Sequence, residues 1–321
     1  MRELTDGCEI EQALLVRAVE VRTKRDGGEF LRVQLGDRTG GVPAMVWEPT
    51  PQDRELLRGG AIVYVRGRYS VHPRYGPQLA LSGWREAAAG EYDADDLHDG
   101  PPREAAQMEA DLRALLETVR NSHLQRLLEA VFGEGSELWA RYREAPAAKY
   151  YHQAYRHGLL EHSLTVAQAV SAISATFPGI DRDVAVTGAL LHDIGKLEAY
   201  SADAQAIDLT DAGRLQGEIP LGYYRIRREI EDIPGFPADT AQAVLHIILS
   251  HHGSLAHGSP VVPCTREATL VHHIDNLGGR LGSFDRLEKE LSPGQSWTPF
   301  DRGIGSSAYF GPAVADERRA A

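Results

Sequence analysis

Histidine and aspartate residues occur in four separate segments of this chain, in a combination that suits a metal site. The segments are GLLEHSLTV, LLHDIGK, IILSHHG and HHIDNL, which contain His162, His192, Asp193, His251 and Asp275. Imidazole and carboxylate groups are the ligands that bind zinc, manganese and iron in proteins. Helices that each supply one or two inward-facing ligands can hold an ion inside a bundle. We therefore predict one metal site built from residues far apart in the sequence.

The adjacent pair His192-Asp193 restricts where these ligands can lie. Successive side chains on a helix point about 100° apart, so both can reach one ion only near a helix end. Gly195 is well suited to end that helix. A single histidine on an apolar helix face is more often a core residue than a ligand. The recurrence of the pair, the GK that follows it, the HHG and the distant aspartate favours the metal site over that structural alternative.

Residues 13–84 consist of short runs of β-branched and aromatic residues that are broken by turn signals. The runs predict five strands, at residues 13–23, 30–35, 41–47, 61–69 and 78–84. Five strands in about 75 residues fit a small closed barrel, and residues 49–60 lie where an OB-fold places its helix. We therefore predict an all-β OB-fold barrel over residues 1–88, in a chain of more than one domain.

The apolar period changes to about 3.6 after residue 103, which predicts an all-α helical bundle over residues 104–291. Helices are expected at residues 104–120, 122–132, 157–177, 183–192, 222–232, 240–251 and 265–291. Residues 206–216 predict a hairpin between helices. The acidic, breaker-rich residues 89–103 predict a linker, and the accumulation of Pro, Gly and Ser predicts an irregular tail over residues 292–321.

The last predicted helix carries an apolar stripe that would face the core. The stripe consists of Leu270, Ile274, Leu277, Leu281 and Phe284. Asp275 lies at the edge of this stripe, next to Val271 and Gly278. A carboxylate at such a position needs a partner, which supports its assignment as a ligand.

The composition is that of an ordinary globular protein with a net charge of −12. Residues 1–86 carry 13 Lys plus Arg against 12 Asp plus Glu, whereas the remainder carries 21 against 34. This balance argues against a protein that coats nucleic acid over its whole surface. The two cysteines are far apart and suggest neither a disulfide framework nor a zinc ribbon. No apolar run is long enough to span a membrane, so we expect a cytoplasmic protein.

Basic and aromatic residues are interleaved along the predicted barrel. We predict a nucleic-acid-binding surface formed by Lys24, Arg25, Phe30, Arg32, Arg66, Arg68, Tyr69, Arg74 and Tyr75. Single-strand binders combine such basic grooves with aromatic rings on which bases stack. The alternative for any one aromatic residue is the barrel core, and strand alternation favours exposure of Tyr69 and Tyr75 over exposure of Trp47.

The motif residues and their surroundings resemble a known family. His162, His192-Asp193 and Asp275 are similar to the H…HD…D signature of the HD phosphohydrolase superfamily. The segments GLLEHSLTV, LLHDIGKLEAY, IILSHHG and HHIDNLGGRL, together with the barrel segment ALLVRAVEVRTKRDGGEFLRVQLGDRTGGVPAMVWEP, resemble the YhaM family of 3′-5′ exoribonucleases more closely. This resemblance implies an OB-fold followed by an α-helical HD domain. It also implies a divalent metal, usually manganese, and removal of nucleotides from the 3′ end of RNA and often of single-stranded DNA.

Carried over residue by residue, the resemblance makes His162, His192, Asp193 and Asp275 the core ligands and leaves His251 for a second ion. One position departs from the family. Where the family has Gly-His after the hairpin, this chain has Gly217-Glu218. Glu218 can still be a ligand, because Mn²⁺ and Mg²⁺ accept oxygen donors; Co²⁺ and Fe²⁺ are further candidates. The alternative is a weaker or altered second site, so either one or two ions fit the sequence.

The predicted chemistry is hydrolysis of a phosphodiester to nucleoside 5′-monophosphates. Asp193 is the expected catalytic carboxylate, and Lys196, three residues further on, can reach a phosphate oxygen where negative charge develops. The alternative for Lys196 is a cation favoured by the helix dipole. Two other functions stay open: a nucleotide or cyclic-nucleotide phosphohydrolase, and a nucleic-acid-binding protein with an altered metal site. The sequence decides neither RNA against DNA nor homo-oligomer against monomer.

Overall fold

The computed structural model describes residues 1, 4–24, 27–72, 76–97, 103–148, 153, 155–201, 207–291, 295–301 and 303–311. The chain divides into two compact units. One unit comprises Met1–Asp99 together with Ser283–Ala321, and the other comprises Gly100–Gly282. No helix within the described ranges has both the length and the apolar character that a membrane crossing requires.

The first unit contains a closed five-stranded barrel. Its strands are β1 (Glu9–Thr23), β2 (Glu29–Asp37), β3 (Gly40–Trp47), β4 (Ile62–His72) and β5 (Gly76–Glu86). The strand order is β1-β2-β3-β5-β4, and all neighbours are antiparallel except β3 and β5. Helix α1 (Pro51–Leu56) lies between β3 and β4 and begins at Thr50 with a capping box. The predicted OB-fold is confirmed, with each of the five strands close to its predicted position.

Strand alternation determines which side chains fill the barrel. In β3, Val42, Ala44 and Val46 are buried, whereas Trp47 is exposed. Closure requires a bend in β4, where the register with β5 shifts at Gly67. A Cβ atom at Gly67 would lie 2.5 Å from the carbonyl oxygen of Ala80, so the close approach of these strands requires a glycine.

The rest of the described chain is mainly helical. The helices are α2 (Ala94–Leu97), α3 (Ala105–Glu117), α4 (Ser122–Phe132), α5 (Glu137–Tyr142), α6 (Gly158–Ser174), α7 (Arg182–Leu191), α8 (Lys196–Ala199), α9 (Asp211–Gln216), α10 (Glu218–Glu231), α11 (Ala238–Ser250) and α12 (Arg266–Glu290). A 3₁₀ turn, Leu255–His257, separates the last two. The predicted all-α region is confirmed, although the short helices α5 and α8 were not predicted.

Helices α6 and α7 form the centre of the helical core. Every residue from Val184 to Leu191 is buried, and α6 buries Leu159, Leu160 and Leu164 among others. Helices buried on all sides have little room to shift, because protein interiors are close-packed. The polar side chains that follow α7 and interrupt α6 are therefore held in fixed places.

The hairpin predicted over residues 206–216 is wrong for the part that the structure describes. Residues 211–216 form α9, which begins where the Thr210 hydroxyl accepts a hydrogen bond from the Gly213 amide. A Cβ atom at Gly213 would lie 2.3 Å from the Ala199 carbonyl oxygen. The glycine that suggested a turn serves close helix packing instead. One isolated bridge, between Tyr200 and Leu209, is the only strand pairing of this segment within the described residues.

The apolar stripe predicted for α12 is only partly correct. The buried line consists of Ala268, Val271 and Ile274. Leu277 and Leu281 are 49% and 56% exposed, because α12 continues past the residues against which the helical core packs. In the predicted tail, described residues form two isolated bridges, Trp297 with Tyr309 and Asp301 with Ser306.

Two glycines inside helices are expected to respond oppositely to substitution by alanine. A Cβ atom at Gly188 in α7 would lie 2.3 to 3.0 Å from three atoms of Ile247, so Gly188→Ala should lower the free energy of unfolding by about 1–3 kcal/mol. At Gly278 in α12 nothing lies within 4 Å of the new methyl group. Gly278→Ala should therefore raise stability by up to about 1 kcal/mol. Denaturant unfolding of both variants measures the difference, and equal shifts in the same direction would contradict this packing.

Candidate metal centre and nucleic-acid interface

Four elements bring the predicted ligands together in the helical unit. His162 lies inside α6, His192 and His251 are the residues that follow α7 and α11, and Asp275 lies in α12. Asp193 follows His192 in the turn before α8. The structure therefore brings these five residues close together.

One triad consists of His162, His192 and Asp275. His162 Nε2 lies 3.2 Å from His192 Nε2 and 3.0 Å from Asp275 Oδ1. His192 Nε2 lies 3.7 Å from the same carboxylate oxygen. Atoms that share a metal ion at about 2.0–2.2 Å are separated from one another by distances of this size.

A second triad consists of His192, Asp193 and His251, and it shares His192 with the first. Asp193 Oδ2 lies 3.3 Å from the Nε2 atoms of His162 and His192. Its other oxygen, Oδ1, lies 3.5 Å from His251 Nε2. The two oxygens of Asp193 therefore face different histidines, an arrangement in which one carboxylate can contribute to two neighbouring positions.

The helix ends determine which nitrogen of each imidazole faces the centre. His192 and His251 each donate from Nδ1 to the carbonyl oxygen three residues earlier, Ala189 at 2.7 Å and Ile248 at 2.8 Å. These carbonyls belong to the last helical turn and lack a helical partner. A carbonyl only accepts, so Nδ1 carries the proton and Nε2 keeps a lone pair in the neutral ring. Metal-binding histidines are commonly oriented in this way.

Two buried polar atoms of the cluster lack a partner among the described residues. They are Asp193 Oδ1 and His251 Nε2. A buried polar atom without a hydrogen bond costs about 1–3 kcal/mol, so such atoms are rare in folded proteins. Both atoms are electron-pair donors in the arrangement described above. A divalent cation between them satisfies both, and the donor set of imidazole and carboxylate therefore fits a metal ion of the manganese, iron or zinc type.

The charges of the cluster favour a cation. Burial disfavours ionisation of Asp193 and Asp275, yet neighbouring cationic and hydrogen-bonding groups hold the pKa of both carboxyl groups well below the ordinary value. Burial also opposes protonation of His192, but Asp193 and Asp275 raise its pKa to about 10. The pKa of His162 is raised by the same carboxylates. The carboxylates thus draw positive charge into a buried site.

Lys196 Nζ lies 2.6 Å from Asp193 Oδ2 and is largely buried. Burial works against its charge, but the Asp193 carboxylate outweighs this effect and raises the pKa of the lysine. The sequence predicts that Gly195 ends the preceding helix. This prediction is wrong, because α7 already ends at Leu191. Its function is steric: a Cβ atom there would lie 1.9 Å from the carbonyl oxygen of Glu218.

Glu218 is the first residue of α10 and does not belong to either triad. Its Oε1 lies 3.7 Å from Nε2 of His252. The Nδ1 of His252 donates to the His257 carbonyl oxygen at 2.9 Å, so its ring is oriented by a carbonyl in the same way as those of His192 and His251. The adjacent HH pair was a signal for this second histidine, because consecutive residues after a helix end can both face one site.

The barrel carries an aromatic pair, the half-buried Phe30 and the exposed Trp47, on its outer surface. Phe30 and Trp47 face each other across β2 and β3 with ring centroids 4.7 Å apart, and Lys24 Nζ lies 5.7 Å from the Trp47 ring. Trp47 is 60% exposed, whereas Tyr69 packs against the barrel core. The predicted order of exposure is therefore wrong. Burial of Val46 next to Trp47 follows from alternation and could have identified this residue.

The other predicted barrel residues are dispersed. Arg32 lies near Glu20, with 3.6 Å between the charged atoms, whereas Arg66 pairs with Glu11 and Arg68 donates to the Gly7 carbonyl oxygen. Arg66 and Arg68 are on β4, away from the aromatic pair on β2 and β3. Arg25, Arg74 and Tyr75 lie outside the described residues. The structure thus assembles Lys24, Phe30, Arg32 and Trp47, but not a single groove through all of the predicted positions.

Both the barrel and the helical part of the chain match known protein families. The HD domain family matches residues 159–279, and the family described as OB-fold nucleic acid binding domain matches residues 16–87. The proteins named 3′-5′ exoribonuclease YhaM from Geobacillus and from Bacillus subtilis are each 28% identical, over 90% of this chain and over 88% and 90% of their own length. That of Halalkalibacterium halodurans is 26% identical over 89% of this chain and 88% of its own.

The chain carries an HD domain after an OB-fold nucleic-acid-binding domain, and over 90% of its length it is similar to YhaM exoribonucleases. Both domain matches occur in the order that the fold shows, and the YhaM proteins align with nearly the whole chain. The HD match includes every residue of the two triads, and the OB-fold match includes the aromatic pair. The site geometry and the two domain matches therefore concern the same residues.

Removal of the Asp193 charge should prevent metal binding. Asp193→Asn keeps the size of the side chain but removes the carboxylate that faces both sets of histidines, so the increase in melting temperature on addition of Mn²⁺ should disappear. Calorimetric titration with Mn²⁺ measures the affinity directly. His273→Ala is a suitable control, because this exposed histidine lies two residues from Asp275 but outside both triads. Retention of full Mn²⁺ affinity by Asp193→Asn would exclude the site.

Loss of the exposed ring of Trp47 should weaken binding of single-stranded RNA. Stacking of a base on an aromatic side chain contributes about 1–3 kcal/mol, so Trp47→Ala in an Asp193→Asn background should raise the Kd about tenfold or more. Fluorescence anisotropy with a labelled, unstructured RNA measures this change. Tyr64→Ala is the matched control, because Tyr64 lies on β4, where its ring contacts Arg85. Equal effects of the two substitutions would show that Phe30 and Trp47 are not a specific platform.

Proposed function

We propose that this chain is a metal-dependent 3′-5′ exoribonuclease that hydrolyses single-stranded RNA, and also single-stranded DNA, to nucleoside 5′-monophosphates. The observation that carries the proposal is the buried cluster of His162, His192, Asp193 and Asp275 in a chain that is similar, over 90% of its length, to YhaM exoribonucleases. The second support is the barrel, which matches a nucleic-acid-binding family and carries an aromatic pair on its outer surface.

His162, His192, Asp193 and Asp275 would hold the first ion, and His251 and Glu218 are available to a second. Manganese is the preferred candidate, because the set mixes imidazole nitrogen with carboxylate oxygen. A divalent ion bound there supplies Lewis acidity, which acidifies water and offsets the negative charge of a phosphodiester. The separation of Glu218 from both triads supports a second position with weaker affinity than the first.

The protein's own groups orient the reaction. Asp193 is fixed on one side by Lys196, whose ammonium group lies 2.6 Å from Oδ2. Because an ammonium group has three N–H donors, Lys196 can hold this carboxylate and still donate to a phosphate oxygen. This donation would stabilise the negative charge that develops on the phosphate during hydrolysis. The tautomers of His192 and His251 are fixed before substrate binds, which lowers the cost of reorganisation.

The barrel holds the strand through stacking more than through charge. The outer face of β2 and β3 offers Phe30 and Trp47, whereas Lys24 lies 3.5 Å from Glu48 and Arg32 lies 3.6 Å from Glu20. Every base has a flat face, so stacking binds single strands with little sequence preference. This is the behaviour required of an enzyme that shortens a strand step by step.

A labelled oligonucleotide tests the reaction. With Mn²⁺, a 5′-labelled single-stranded RNA should yield a ladder that shortens by one nucleotide at a time, while a circular RNA of the same sequence stays intact. Asp193→Ala should reduce turnover to background without unfolding the barrel, because a lost ligand removes the ion and not the core. The same assay with DNA decides whether the deoxy strand is also a substrate.

The control for this assay is the set of free nucleotides and cyclic nucleotides under the same conditions. An intact RNA strand together with rapid hydrolysis of a small nucleotide would replace the exonuclease proposal by the phosphohydrolase alternative. Internal cleavage of the circular RNA would show an endonuclease instead.

A further inference from the structure

A cleft of about 280 Å³ lies directly beside the metal cluster in the helical unit. Its lining residues are His251, His252, His257, His272, Asp275 and Asn276. His251 and Asp275 are also members of the two triads, so a molecule in the cleft would lie against the ion position. The volume is slightly below the range for small-molecule sites, about 300–1,000 Å³. The cleft therefore suits one nucleotide-sized group and not a longer stretch of strand.

The lining chemistry suits an uncharged polar group. Phosphates are bound mainly by Lys, Arg and helix N-termini. No lysine or arginine belongs to the lining of this cleft as far as the chain is described. A strand that continued through the cleft would place another phosphate there, next to the Asp275 carboxylate. The nucleoside at the end of a strand has no further phosphate, and its base and ribose fit a lining of imidazoles and an amide.

His272 forms a rigid wall of the cleft. Its Nδ1 donates to the His251 carbonyl oxygen at 2.7 Å, which connects α12 to the residue that follows α11. The ring packs against the backbone of Gly253, which has a φ of +80°, and a Cβ atom there would lie 2.0 Å from Cε1 of His272. Only glycine satisfies both the backbone conformation and the contact. The wall is therefore fixed relative to His251.

Asn276 is an exposed lining residue whose side-chain amide can bind a ligand. It lies one helical turn after His272 on α12, since residues four positions apart are neighbours on a helix. It is exposed, and its amide makes no side-chain hydrogen bond within the part of the chain that the structure describes. An amide both donates and accepts hydrogen bonds, as ribose hydroxyl groups do.

We propose that this cleft receives the 3′-terminal nucleoside of the strand and that the Asn276 amide binds the hydroxyl groups of its ribose. The assignment rests on the proposed exonuclease function. It places the phosphate on the 5′ side of the terminal nucleotide beside Asp193 and Asp275. Water adds its oxygen to that phosphorus, the bond from phosphorus to O3′ of the penultimate nucleotide breaks, and this O3′ gains a proton. The terminal nucleoside 5′-monophosphate is left in the cleft.

A cycle of two deletions tests the contact. One deletion is Asn276→Ala in the full-length protein, and the other is an RNA whose terminal nucleotide is 2′,3′-dideoxy. Loss of one or two neutral hydrogen bonds should lower kcat/KM about tenfold in each case. Because both deletions remove the same contact, the variant acting on the dideoxy RNA should be no slower than either single change. Binding of AMP and of 2′,3′-dideoxy-AMP in the presence of Mn²⁺, measured calorimetrically, should show the same pattern.

Leu277→Ala is the matched control, because Leu277 is the next residue on α12, is exposed, and is absent from the cleft lining. It should keep the full preference for the terminal hydroxyl groups. Alanine favours helices more than asparagine does, so Asn276→Ala should fold, and its bound Mn²⁺ should equal that of the wild type. If the effects of Asn276→Ala and of the dideoxy RNA on kcat/KM multiplied, or if Asn276→Ala left the rate unchanged, the cleft assignment would be wrong. The exonuclease function would not be affected by either result. An inactive wild-type protein would instead remove the exonuclease function itself.

Discussion

The burial of ionised carboxylates is the constraint on which the rest of the helical unit depends. Asp193 is 2% exposed and Asp275 is 17% exposed at its side chain, yet the pKa of each is held well below the ordinary value. A buried charge costs several kcal/mol unless a compensating charge lies beside it. His162, His192 and Lys196 surround the two carboxylates for this reason. A divalent cation offsets the buried negative charge more strongly than protonated imidazole does. The buried carboxylates that destabilise the fold on their own therefore also form a site for a cation.

Close backbone approaches keep the surrounding residues in place. Gly195 and Gly222 lie against each other, and a Cβ atom at Gly195 would lie 2.5 Å from the amide nitrogen of Gly222. This contact sets the start of α10, and with it the position of Glu218. Gly253 does the same for His272 in the cleft. Residues next to the candidate ligands are thus positioned by glycines. Close-packed interiors require glycine wherever two backbones come this close together.

The candidate ligands could be found from the sequence because residue type carries their chemistry, whereas residue type does not reveal contacts between backbones. His192 and Asp193 were recognisable as a pair near a helix end, but the space that Gly195 fills depends on α10, more than twenty residues further on. The exposed position of Leu277 on α12 was missed for a related reason, since helical periodicity does not indicate where the core ends. The exposure of Trp47, in contrast, was predictable, because strand alternation places it on the opposite face from the buried Val46.

The charge distribution connects the two matched domains to one function. Residues outside the first 86 carry 34 acidic against 21 basic side chains, which disfavours a polyanion over most of that surface. A divalent ion would reverse the sign at one position, so a phosphodiester is attracted where it can be hydrolysed. Because the cleft lining beside that position lacks lysine and arginine as far as the chain is described, the ion and the neighbouring Lys196 would be the main attraction for the phosphate of a nucleoside 5′-monophosphate. A product held by the ion and a few neutral hydrogen bonds can leave readily, and the shortened strand can then offer its new 3′ end.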